Sequence, residues 1–278
     1  NLPKATLVVE ADYYFVWSEY MKSQLLFYHP FIQPDQVFVT GTTQFDWHVN
    51  SDFLLSREEF FNRHKLDPDK KYICFSGDDV TTSPNDPAYL KDLAETVKKL
   101  NSQGHNLGIL FRRCPVDFSV RFDQVEKDYS NIIFPLRPRW KKMGKDWNFI
   151  LPEKEDLSLL ANVCEHSETV INVGSSMVFD FFCHNKSCYF LNYDVDTPLK
   201  ENWTIRKIYK YIHFESMPSQ DSVGWVNSKE DFERIILSEL DGKSTQMDST
   251  KAWFEKINAQ PIKETNKRFF VAFGLIVR

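Results

Sequence analysis

Runs of four or five largely apolar residues recur at positions 72–75, 107–111, 131–134, 169–173 and 188–192, each bounded by polar or glycine-bearing turns. Unbroken runs of that length predict strands buried on both faces, as in a parallel sheet. The stretches between them predict helices: 86–101, with Asp86 as cap and Pro87 in the first position, then 118–128, 156–164 and some ten residues after Ser176. Ser56 and Glu59 have capping-box spacing for a short helix ending at His64, and Ser228 with Asp231 opens another that runs to Leu240. Upstream, 12–17 predicts a strand and 19–28 a helix stopped by His29-Pro30. A linker with Pro30 and Pro34 leads to a strand at 36–40 that enters the turn Gly41-Thr42-Thr43. Residues 148–151 predict one more short strand, 203–213 are aromatic and basic, and 249–278 predict two closing helices.

Strands alternating with helices over 36–192 predict an α/β fold, Rossmann-like, with a doubly wound parallel sheet and right-handed crossovers. Ligands of such sheets lie in the crevice beyond the carboxyl ends of the strands. Four turns stand at predicted strand ends: Thr40-Gly41, Ser76-Gly77, Arg112-Arg113 and Gly174-Ser175-Ser176. Serine hydroxyls at a helix start suit an N-cap and leave N–H groups and the positive dipole end facing outward, where anions bind. Asp180 follows about 6 Å further along the same helix face, so a phosphate at Ser175 and Ser176 leaves a ribose within its reach. A cap alone would explain one short Gly-Ser-Ser; four such turns on one rim favour an anion site. Arg112 and Arg113 suit phosphate oxygens, which a guanidinium binds in pairs, with an ion pair to the chain's acids as the alternative.

Composition narrows the classes. The 278 residues carry a net charge of −5, 42% hydrophobic and 26% charged residues, as in a globular domain with a substantial core. No basic block is present, which argues against a nucleic-acid partner. No apolar run nears the roughly 20 residues that span a bilayer, and nothing at the start reads as a signal peptide. Five cysteines lack metal-ligand spacing, which favours reduced thiols in a cytoplasmic protein. The chain begins with Asn and opens close to a strand, as a piece of a longer chain would.

Four motifs in order resemble a known family. Val16-Trp17-Ser18-Glu19-Tyr20, then Val39-Thr40-Gly41 with Gln44-Phe45-Asp46, then Phe111 to Pro115 with Asp117, and last Asn172 to Asp180 with Lys186, look like the C-terminal, donor-binding half of GT-B-fold glycosyltransferases. The nearest likeness is to bacterial surface-polysaccharide transferases and their CDP-glycerol glycerophosphotransferase and UDP-N-acetylglucosamine 2-epimerase relatives, over residues 12 to 240. The resemblance implies three parts: 1–35 as the end of an N-terminal acceptor domain with its linker, 36–240 as the nucleotide-sugar-binding domain, and 241–278 as helices packing back.

It also implies roles. Ser175 and Ser176, after Gly174, would hold the donor's phosphates and Asp180 the ribose hydroxyls. Gly41, Ser76 and Gly77 would admit the donor to the backbone, Arg112 or Arg113 would balance its charge, and the base would lie near Ile150. Relatives often carry Arg-x-His-Pro where this chain has Arg112-Arg113-Cys114-Pro115, so that histidine has no counterpart here. The implied activity is transfer of a sugar from a nucleotide sugar to a glycan or lipid-linked glycan. No metal or other cofactor is expected, because a helix N-terminus with an arginine can stabilise the departing phosphate without one. Such an acceptor would bring the protein to the inner face of a membrane as a peripheral partner. Asp12 and Glu19 are the candidates for a general base, and a dipole-compensating charge is the simpler account of Glu19. A non-hydrolysing epimerase and a nucleotide-binding half-enzyme without turnover are the rival readings.

Overall fold

The computed structural model describes residues 10–146, 149–196, 198, 200, 202–243 and 247–277. It opens with β1 (Tyr14–Val16) and α1 (Glu19–Tyr28), whose N-cap Ser18 accepts a hydrogen bond from Met21 N. β2 (Val37–Val39) pairs in parallel with β1, Tyr14 opposite Val37, in a two-stranded sheet of its own. The expectation that 36–40 joins the main sheet is thereby corrected. The small sheet has its own aromatic filling, with Phe15 stacked on Phe38 and on Phe269 from near the end of the chain.

After α2 (Arg57–His64), with the predicted Ser56/Glu59 capping box, come β3 (Lys71–Ser76), α3 (Asp86–Ser102), β4 (Leu107–Arg112), α4 (Asp123–Asp128) and β5 (Ile133–Pro135). β6 (Trp140–Lys142) and β7 (Ile150–Pro152) form an antiparallel ribbon outside the main sheet. The predicted strand start at residue 148 lies outside the described residues. α5 (Lys154–His166), β8 (Thr169–Asn172), α6 (Met177–Phe182), β9 (Ser187–Leu191), β10 (Gly224–Val226), α7 (Asp231–Leu240), α8 (Met247–Ile257) and α9 (Thr265–Ile276) complete the order.

The main sheet has six strands in the order β10-β9-β8-β3-β4-β5, all parallel. From β3 the chain moves outward through β4 to β5, then returns to β8 and moves outward the other way, the winding of a Rossmann-like fold. α3 packs against α4 and α7, and α6 against α5 and α8, giving two helical layers with the sheet between them. Every residue of β4, β8 and β9 is buried, and so is β3 apart from Lys71, which is why these strands read as apolar runs rather than alternations. α3 buries Tyr89, Leu90, Leu93, Ala94, Val97 and Leu100, a spacing of three and four that makes one face.

Two helices are shorter than expected, for local reasons. Residues 118–122 fold as a turn because Asp117 Oδ1 accepts from the backbone and hydroxyl of Ser119 while Oδ2 accepts from Arg121, competing with helix formation. α6 stops at six residues, closed by Asn185 in the left-handed region at φ 56°.

Candidate functional site

The strand order reverses between β3 and β8, where Cys74 lies opposite Val170 and Ser76 opposite Asn172. The crevice beyond these two carboxyl ends is where an open α/β sheet takes its ligand. Ser76 and Gly77 leave β3 there, and Gly174, Ser175 and Ser176 leave β8. These two predicted turns are neighbours because β3 pairs with β8. Arg112, paired with Ser76 across β3 and β4, ends the next strand.

The turn after β8 is built by its own polar groups. Gly174 has φ 64°, open to glycine at little cost. A Cβ there would stand 2.7 Å from the Phe214 ring, and Tyr209 also lies against it. The aromatic segment 203–214 therefore walls one side of the turn. Ser175 N donates to Asn172 Oδ1 at 2.8 Å, and Ser175 Oγ accepts from Met177 N. Ser175 is half-buried and Ser176 exposed, and the Ser176 hydroxyl caps nothing. The six residues of α6 carry less dipole than the ten expected, leaving the hydroxyls and turn N–H groups as the main anion-binding equipment.

Asp180 does not stand open on the helix face. It is 2% exposed, and its Oδ1 meets His48 Nε2 at 2.9 Å. His48 belongs to the short 3-10 helix Thr43–His48 that follows Gly41. Its Nδ1 meets His184 Nε2 at 2.9 Å, and His184 Nδ1 meets Glu165 Oε2 at 2.7 Å. Burial holds His184 below its ordinary pKa, against the pull of Glu165. No described residue donates to Asp180 Oδ2.

Both arginines are held in internal pairs, on diverging sides of the chain. Arg112, 5% exposed, gives both terminal nitrogens to Asp156, which also accepts from Arg139 N and Trp140 Nε1. Arg113 donates to Ser119 O and to Glu126. A phosphate role for either would require exchanging these partners. The glycines likewise have internal reasons. The space of a Cβ at Gly77 abuts Phe122 and Phe111, and at Gly41, with φ 79°, it abuts Arg268, Asn258 and Thr265. Gly41 is thus approached by the chain's own C-terminal segment, away from the main rim. Ile150 lies in the β6–β7 ribbon, and Asp12 and Glu19 are exposed on the β1–α1 segment.

An acidic cluster follows the β3 end, around Asp86, which the sequence suggests only as a helix cap. Asp86 accepts from Asp78 N and Ser83 Oγ, and Arg121 links this cluster to Asp117 through Nε while donating to the carbonyls of Asp78, Ser83 and Pro84. Burial pushes Asp86 up to about 7 and Asp78 up to about 6. At Asp79 burial pushes the same way, but hydrogen bonds from Thr81 and Thr82 prevail and hold its carboxyl low. Cys114 has its thiol pushed up to about 11 by burial and stays neutral.

Neither a family model nor a curated protein matches the chain. Solved structures do. The wall teichoic acid polymerase TagF, as its H444N variant, is similar over 96% of this chain and 57% of its own, with TM-score 0.58 and 14% identity. A putative UDP-N-acetylglucosamine 2-epimerase from Listeria monocytogenes matches over 96% and 60%, with TM-score 0.56 and 14% identity. S. aureus MnaA, solved with UDP, matches over 96% and 62%, with TM-score 0.53 and 14% identity. The chain has a GT-B-type fold. It spans about three fifths of the length of these GT-B neighbours, and the likeness is one of fold.

Proposed function

We propose that this chain is the donor-holding part of a glycosyltransferase that moves a sugar from a nucleotide sugar to a glycan acceptor in bacterial surface-polysaccharide synthesis. The observation that carries the reading is the pair of turns at the β3–β8 switch point, Ser76-Gly77 beside Gly174-Ser175-Ser176. The fold likeness to TagF and to a UDP-bound MnaA supports it. Ser175 and Ser176, with the N–H groups of their turn, take the phosphates; Asp180 Oδ2 takes a ribose hydroxyl. As the glycosidic bond breaks, negative charge builds on the departing phosphate, and these fixed donors stabilise it more than they stabilise the bound donor sugar. No metal is needed for that step. Binding is the property assigned to this chain, and transfer belongs to the complete enzyme. A lipid-linked acceptor would draw that enzyme to the cytoplasmic face of a membrane; no helix among the described residues is long and apolar enough to cross one.

The fold likeness to 2-epimerases favours a second reading, a non-hydrolysing sugar-nucleotide epimerase using the same rim. Formation of the 2-epimer from UDP-N-acetylglucosamine with no acceptor present would select it. The first test is thermal shift against UDP, CDP, CMP, GDP and ADP. A nucleotide at about 100 times its Kd stabilises by roughly 2.7 kcal/mol. Asp180→Ala and the double change Ser175→Ala/Ser176→Ala are expected to weaken that shift while the fold persists; an undiminished shift in both removes the rim from the site.

A further inference from the structure

The side chains Asp180, His48, His184 and Glu165 form one unbroken hydrogen-bonded line from the rim helix α6, through the turn after β2, to the surface of α5. The inner three have side-chain exposures of 3%, 0% and 2%, whereas Glu165 is 45% exposed. Three hydrogen bonds need three protons, and two neutral imidazoles bring only two. Glu165 orients His184 with Nδ1–H outward, so His184 Nε2 accepts and His48 Nδ1 donates. His48 Nε2 then faces Asp180 Oδ1 across 2.9 Å, and that contact is attractive only with a proton in it. In the proton count that satisfies all three contacts, the third proton lies between His48 Nε2 and Asp180 Oδ1.

We propose that His48 is the positioning residue for Asp180, fixing its Oδ1 so that Oδ2 is presented to the nucleotide, and that the line sets a pH window for nucleotide binding. The proposal rests on the reading of Asp180 as the ribose contact. With one proton fewer, two lone pairs face each other at the dyad and the carboxylate loses its anchor. With one more, two N–H groups face each other between the histidines. Affinity is therefore greatest at intermediate pH and falls on both sides.

No other group near the dyad supplies this titration. Cys164 and Cys183 flank Asp180, but burial raises both thiols, which stay protonated. Besides Asp46 on the 43–48 turn itself, the charged and titratable groups on the elements packed against it are Asp52, then Lys154, Glu155, Asp156, Cys164, Glu165 and His166 of α5, Lys263 and Glu264, and Lys267 and Arg268 of α9. His166 is bonded to Leu55 O, and Asp46 is raised by its own burial against the pull of Arg268, with no contribution from the histidine line.

The test is UDP and CDP affinity by calorimetry from pH 5 to 9 on the whole chain, with His48→Gln, Glu165→Gln and Asp180→Asn, and long-range 1H–15N spectra of the histidines without nucleotide. Wild type should give a bell. His48→Gln, whose amide still donates to Asp180 but does not titrate there, should bind within a few-fold of the wild-type maximum with the alkaline limb flattened. Glu165→Gln, a surface change, removes a charge that favours the imidazolium and should move the alkaline limb down by about 0.5 pH unit. The spectra should show His48 doubly protonated and His184 with Nδ1–H at neutral pH. A His48→Gln profile identical to wild type, or spectra with both rings neutral and unshared, overturns the proposal. Asp180→Asn binding like wild type overturns the ribose reading beneath it, and no binding of either nucleotide overturns both.

Discussion

Arg112 and Asp156 place opposite charges inside the protein, where each is tolerable only because the other is there. Arg112→Ala leaves Asp156 with two donors and no countercharge, and loss of about 3–5 kcal/mol is expected for breaking a buried pair, read from urea denaturation. Asp86 gives a pH dependence whose sign can be fixed. Its folded value of about 7 stands above the ordinary 3.8, so the unfolded chain loses its proton first. The stability this contributes is complete below about pH 4 and is lost as pH rises through about 7. The difference in unfolding free energy between wild type and Asp86→Asn should fall across that window and level above it; a flat difference would show that Asp86 does not titrate there. His64, His166, His184 and His213, all held low by burial, act oppositely, losing stability as pH falls. They are common to both proteins and cancel. At this scale the sequence displayed residue types but not partners. Asp180 could be singled out by its spacing from Ser176, yet its partner His48 lies 132 positions away and no local pattern joins them.

Elements were legible where burial was complete. β3, β4, β8 and β9 are buried almost throughout and apolar between their ends, so their runs could be read directly, whereas three-residue pieces such as β2 and β7 carry too few residues to declare which sheet they join. β2 pairs with β1 in the small sheet, on which α9 rests through Phe269 stacked on Phe15. Arg268 on α9 is the fastener: it donates to Thr40 O, to Ala259 O, to Pro261 O and to the Thr265 hydroxyl. Arg268→Ala is expected to raise hydrogen exchange in β2 and α9 by an order of magnitude or more while β3 and β4 keep their protection. Equal loosening in all four would mean that the small sheet is not a separate unit. Capping signals fared unevenly for a physical reason. Ser56 with Glu59 forms its box as written, but Asp86, read as a cap, turns inward to Asp78 and Ser83 because buried N–H and hydroxyl donors compete for its oxygens.

For the whole molecule, the alternation of strand and helix was enough to foresee a doubly wound sheet, and the order of four motifs enough to foresee its relatives. What could not be foreseen was which turns share a rim, since that depends on strand order. β3 joins residues around position 74 to partners around position 109 on one flank and around position 170 on the other. On a ribosome, the first flank can zip as soon as β4 emerges, but the second must wait for some sixty further residues. Until then an apolar edge stays open to wrong pairing. The crevice proposed for a nucleotide lies on the seam that joins the two halves of the sheet, and a bound nucleotide would act there as a stitch across it.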